Sequence, residues 1–152
     1  MKKLRIYIDT SVIGGYYDEE FKHPTRELFE LFREGIFIPV ISDHVLTELN
    51  NGAPKEVIRN LDTIDYELKN VTDEMRKLFH KYTVEKIINE RYNSDALHIA
   101  IATVLNVDVL VSWNFKHIVN YNKIRLFNSI NIHEGYDILD IKTPQEVIEY
   151  DE

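Results

Sequence analysis

Five short β-rich apolar runs punctuate this chain, at about 4–8, 36–41 ("IFIPVI"), 63–68 ("TIDYEL"), 107–112 ("VDVLVS") and 138–141 ("ILDI"). Each is separated from the next by a stretch of helical pattern, and no two are joined by a hairpin-length turn. Strands connected through helices run parallel, because only antiparallel neighbours can be closed by a tight turn. The pattern therefore predicts a three-layer α/β/α sandwich with a central, mostly parallel sheet. Helix starts are read at His23-Pro24, Ser42-Asp43, after Pro54, at Thr72-Asp73-Glu74, Asn93-Ser94 and Thr143-Pro144. Gly35 and Asn50-Asn51-Gly52 are stops. With no repeat, low-complexity tract or linker, residues 1–152 read as one domain, of which 134–152 form an acidic strand-helix segment.

Composition narrows the chemistry. With 44% hydrophobic residues the chain has material for a real core, and with no cysteine it has no disulfide, zinc-thiolate site or thiol nucleophile. Any metal must be held by oxygen or imidazole. The apolar run after Arg5 stops at Asp9 and no later run spans a bilayer, so a cytoplasmic protein without a membrane partner is expected. A net charge of −8 argues at first against nucleic acid. Much of it lies in residues 134–152, which carry seven acidic side chains and one basic one; residues 1–133 carry 19 and 17. If three of those 19 acids bind metal, the rest of the main body is slightly positive, and RNA stays open as a partner.

The first run ends on a carboxylate, in "RIYIDTSV" (5–12). Asp9 has two readings here: an N-cap for a helical turn beginning at Thr10, or a functional acid. Ligands of parallel sheets bind outside the carboxyl ends of the strands, which is where Asp9 and the segment Ser112-Trp113-Asn114-Phe115 both fall. Glu48, between Val45 and Leu49 on the helix begun at Ser42, can face the same edge or lie exposed. Asp95 opens "SDALHIAIATVL", which is apolar all round and so predicts a buried helix. A first-turn aspartate gains only about 0.3–1 kcal/mol from the helix dipole, against several kcal/mol for burying an unpaired charge. Asp95 therefore needs a cation or several donors. His98, one turn on, is either a hydrogen-bonded core residue or a second ligand or base.

In order and spacing, five blocks resemble the PIN-domain family, nuclease-like proteins that include the VapC-type toxins of prokaryotic toxin–antitoxin pairs. They are "YIDTSVIGG" (7–15), "ISDHVLTELN" (41–50), "NSDALHIAIA" (93–102), "VLVSWNFKHI" (109–118) and "GYDILDIKTPQEVI" (135–148). The resemblance implies that Asp9, Glu48 and Asp95 hold one or two Mg²⁺ or Mn²⁺ ions, with Thr10, Ser11 and Ser112 in support. One position departs: many relatives carry a fourth aspartate where this chain has Asn114, which offers a carbonyl oxygen but no charge.

The same resemblance implies a metal-dependent endoribonuclease acting on single-stranded RNA, with an antitoxin protein as a possible partner. A catalytically weak RNA- or protein-binding module is the alternative that Asn114 raises. Lys116, His117, Lys123 and Arg125 are candidates for gripping RNA phosphates, and Arg76, Lys77, Lys81, Lys86 and Arg91 form a second basic stripe. A homodimer is expected from the resemblance and from apolar residues such as Phe29 and Phe32. Two phosphoryl-aspartate readings fit less well. A receiver domain lacks its preceding acidic pair, and a haloacid-dehalogenase-type phosphatase would need a carboxylate where Ser11 stands.

Overall fold

Ile6, Tyr7 and Ile8 are fully buried in β1 (Arg5–Ile8), the middle strand of the sheet. The structure, a computed structural model, describes residues 2–151. After β1 come β2 (Ile38–Ser42), β3 (Glu67–Lys69), β4 (Val109–Val111) and β5 (Ile141–Lys142). They lie in the order β3-β2-β1-β4-β5, and all four pairings are parallel. The register sets Ile6 between Pro39 and Val109. A parallel sheet covered on both faces calls for strands of continuous apolar character, which is what Ile-Tyr-Ile and Val-Leu-Val supply.

Among the described residues, seven α-helices lie between the strands, α1 (Thr10–Gly14), α2 (Lys22–Arg33), α3 (Asp43–Gly52), α4 (Lys55–Arg59), α5 (Asp73–Val84), α6 (Asn93–Leu105) and α7 (Tyr121–His133), and α8 (Pro144–Ile148) follows β5. α5 packs on α6 and α7, and α8 packs on α2, giving the two outer layers of the expected sandwich. Every residue of α6 from Ala96 to Thr103 is buried. The chain steps from β1 through β2 to β3 in one direction, then resumes on the other side of β1 with β4 and β5. The order therefore reverses between β1 and β4, and a crevice at the carboxyl ends of those strands is where such sheets bind ligands.

Three strands are clearly shorter than expected, and β4 keeps only Val109–Val111 of the run at 107–112. At 63–68 only Glu67 onward joins the sheet, because Asn60–Thr63 close as a 3₁₀ turn that buries Leu61, with Ile64 buried just beyond it. At 138–141 only Ile141 is in the ladder. Leu139 gives its N–H to Asn128 Oδ1 and takes the Asn128 amide on its carbonyl, so a side chain replaces the strand partner. Phe29 and Phe32 are 0% and 3% exposed, packed inside the monomer. They are core residues, not the dimer surface expected for them.

Trp113, directly after β4, locks the start of the chain to the site. Its ring stacks on Phe21 at 4.2 Å and its indole N–H donates to Thr25 Oγ1 at 2.9 Å. Gly15 is what admits it: a Cβ there would stand 2.9 Å from the Trp113 ring and from Thr25 Oγ1.

Candidate active site

At the end of β1, Asp9 is the N-cap that its sequence position allowed. Its Oδ1 caps α1 by accepting the Val12 N–H at 3.2 Å, while Ser11 Oγ donates to the same oxygen and Ser112 Oγ to Oδ2, each at 2.6 Å. Ser11 Oγ also accepts the Trp113 N–H, and Ser112 Oγ accepts that of Asn114. The two hydroxyls thus join the carboxyl ends of β1 and β4 around one carboxylate that is 3% exposed. Burial pushes the Asp9 carboxyl above its ordinary range, against the opposing pull of His98, Ser11, Ser112 and Val12.

Glu48, on the second turn of α3, turns inward rather than to solvent. Its Oε1 accepts from Thr10 Oγ1 and from His98 Nε2, and its Oε2 from Ser94 Oγ, all at 2.6 Å. Burial alone would raise its pKa, but the bond and charge of His98 with the Ser94 and Thr10 hydroxyls outweigh it and hold the carboxyl down to about 2. His98 is buried, and its Nδ1 lies 2.8 Å from Tyr7 Oη, which is 2.9 Å from Ser42 Oγ. His98 is therefore a hydrogen-bonded core residue and at the same time the partner of a site carboxylate.

Asp95 lies in the first turn of α6, partly buried. Burial raises its pKa, with Asp9 adding to the effect and His98, His117 and the Asn114 amide opposing it. Asn114 Oδ1 accepts the backbone N–H groups of Lys116 (3.2 Å) and His117 (2.9 Å), so its carbonyl oxygen is already committed to the loop. The part of Asn114 left for the site is its amide, beside Asp95.

The basic residues do not converge as a group. Lys116 is exposed, 5.2 Å from the Tyr92 ring centre, and Arg125 is exposed over Tyr121. Lys123 donates its ammonium to the Ile87 carbonyl. His117 is 7% exposed and tilted against Tyr92 at 4.3 Å, so it is no surface contact for phosphate. Arg76, Lys77 and Lys81 line a groove of about 620 Å³ that also holds Asp73, Glu74 and Glu134, which dilute their charge.

Four contributors were not singled out in the sequence as site residues: Tyr7, His44, Ser94 and Trp113. Ser94 was visible only as a helix start, whereas His44 stands one helical turn before Glu48, a spacing that places both on one face. The ligand atoms of His44, Glu48 and His98 all lie within 4.8 Å of one another, a tighter group than Asp9, Glu48 and Asp95 make among the described residues. The oxygen donors Asp9, Glu48 and Asp95 nonetheless suit a hard divalent cation. Burial is what most disfavours the ionised forms of both aspartates.

These opposed shifts predict a distinctive acid response. A raised carboxyl pKa means that the ionised form costs stability, and that cost is relieved as pH falls through the folded-state values of Asp9 and Asp95 toward 3.8. A depressed value works the other way: Glu48 contributes roughly 2–3 kcal/mol above its ordinary 4.5, lost as pH falls toward about 2. The imidazoles of His44 and His117, held below their ordinary range by burial, oppose that gain as pH falls through 6.5, so the clear signature is the loss below about pH 4.5. Thermal melts in chelator should show that loss in the parent and less of it in Glu48→Gln; an equal loss in both would contradict the assignment.

No family model matches the chain, and no curated protein matches it. Solved structures do. A chain of VapBC2 from Rickettsia felis, in a crystal structure bound to a DNA fragment from their promoter, is 18% identical, with a TM-score of 0.57 over 92% of this chain and 98% of that one. VapC20 of Mycobacterium tuberculosis, described as a sarcin-ricin loop cleaving toxin, is 16% identical, with a TM-score of 0.56 over 73% and 91% of the two chains. The chain thus has the PIN-like α/β/α fold of these VapC structures.

Proposed function

We propose that the protein is a metal-dependent endoribonuclease of single-stranded RNA, working as the toxin of a toxin–antitoxin pair. The observation that carries this reading is that three acids gather near the crevice outside β1 and β4: Asp9 follows β1, Glu48 on α3 accepts from Thr10, and Asp95 at the start of α6 lies beside Asn114. The fold it shares with VapC structures supports the same reading. Bound there, Mg²⁺ or Mn²⁺ would supply an activated water and neutralise charge developing on the phosphodiester.

The protein's own part is orientation. Ser11 and Ser112 fix both oxygens of Asp9, while Thr10, Ser94 and His98 fix those of Glu48. The Asn114 amide steadies Asp95 in its ionised form. Lys116 and Arg125, with exposed cationic ends, are the phosphate contacts in this reading, whereas Lys123 holds the Ile87 carbonyl and His117 packs against Tyr92.

A second reading has a specific observation behind it. With the Asn114 carbonyl bound to two backbone N–H groups, the position gives no fourth anionic ligand, which suits a slow nuclease or a binding module. Incubation of single-stranded RNA with the protein and Mg²⁺ or Mn²⁺, with and without chelator, separates the two. Cleavage abolished by chelator is the expected result. RNA retained on the protein without cleavage selects the binding module, and cleavage that persists in chelator removes the metal mechanism. The antitoxin belongs to the same proposal and is checked by co-purification with the product of a small neighbouring reading frame. A homodimer, if formed, uses surfaces other than Phe29 and Phe32, and light scattering at micromolar concentration reports it.

A further inference from the structure

We propose that His44, Glu48 and His98 form a transition-metal site, overlapping at Glu48 with the carboxylate cluster, which binds Zn²⁺, or Co²⁺ or Ni²⁺ in its place, through two imidazole nitrogens and one carboxylate. His44 and Glu48 lie one turn apart on α3 and face His98 on α6. Glu48 Oε1 is 2.6 Å from His98 Nε2 and 3.8 Å from His44 Nε2. Around a tetrahedral ion with bonds of about 2 Å, neighbouring ligand atoms sit roughly 3.3 Å apart. Each of the two measured separations reaches that value by moving less than about 1 Å.

The surroundings suit a metal-bound imidazole. Ligating histidines have their outer nitrogen held by a hydrogen bond that sets ring and tautomer, and Tyr7 Oη, itself bonded to Ser42, is 2.8 Å from His98 Nδ1. A tyrosine hydroxyl accepts as well as it donates, so Nδ1 can carry the ring's proton when Nε2 gives its own up to bind metal. The His44 and Glu48 side chains keep 18% and 29% of their surface exposed, which leaves the ion a path in. Imidazole favours borderline ions of the zinc and cobalt type, whereas Mg²⁺ prefers oxygen alone. Because Glu48 is shared, an ion in this trio withdraws it from Asp9 and Asp95.

This proposal stands on the geometry of the trio and does not rest on the nuclease reading. It is tested by titrating the full-length protein with Co²⁺ and recording the visible absorption spectrum, then displacing Co²⁺ with Zn²⁺ or with excess Mg²⁺. A nitrogen-ligated Co²⁺ spectrum that Zn²⁺ removes and Mg²⁺ does not is expected. His44→Ala should weaken Co²⁺ binding at least tenfold, while Asp95→Asn, outside the trio, should retain the spectrum. Circular dichroism verifies the fold, and His44→Phe, which keeps the ring volume, replaces the alanine variant if that one unfolds. The absence of a nitrogen-ligated spectrum, undiminished binding in the His44 variants, or loss of the spectrum in Asp95→Asn overturns the site. RNA cleavage in Mg²⁺ judges the nuclease reading separately.

Discussion

Replacing Asp95 by Asn is expected to lower the proposed Mg²⁺-dependent RNA cleavage by about 10³-fold, a loss of roughly 4 kcal/mol in transition-state stabilisation, while leaving the metal-free protein more stable. Both effects have one cause. The Asp95 carboxyl is partly buried at the mouth of α6, and burial together with the Asp9 charge disfavours its ionised form. An amide of nearly the same shape removes that cost but cannot offer an anionic oxygen to a hard cation. It also gives up the helix-dipole term, which is worth at most about 1 kcal/mol. In chelator the variant should melt at a higher temperature than the parent, and added Mn²⁺ should raise its melting temperature less than it raises the parent's. Unchanged cleavage would remove Asp95 from the chemistry. A lower melting temperature in chelator would show that local donors already satisfy the charge.

Trp113→Ala should cost about 3–5 kcal/mol of stability, the range for deleting a large buried aromatic side chain. The ring is 9% exposed, stacked on Phe21, with its N–H bonded to Thr25 and its edge over Gly15. Its loss leaves Phe21 without the face it stacks on and Thr25 Oγ1 without its indole donor. The damage should also reach the site, since the flanking residues Ser112 and Asn114 touch Asp9 and Asp95. Urea unfolding measures the first effect, and the Mn²⁺-induced rise in melting temperature measures the second. A loss below about 1 kcal/mol would mean that the loop holds without its tryptophan.

How much of the fold and site was legible in the sequence depended on the range of the interaction involved. Asp9 was readable as a cap because the cap is made within three residues, by Val12, and the buried character of α6 was readable from an apolar pattern confined to its own helix. The ends of β3 and β5 were not. Glu67 joins the sheet where the preceding 3₁₀ turn releases the chain, and Leu139 leaves it because Asn128, from a different element, satisfies its backbone. Phe29 and Phe32 make the same point in packing, because helical spacing shows which residues share a face but not what that face meets.

By itself the sequence determined the alternation of strands and helices, the parallel sheet that this alternation requires, and the position of Asp9 and Ser112 at strand ends. All of these rest on periodicity and turn chemistry, which act between near neighbours in the chain. Only the tertiary structure decided that β4 lies beside β1, so that Ser112 reaches Asp9 across 103 positions of sequence, and that α3 lies against α6, so that Glu48 meets Ser94 and His98. Strand order and helix docking are set by burying apolar surface across the whole domain. The burial that lowers Glu48's exposure and raises the Asp9 and Asp95 pKa values exists only once that packing is complete.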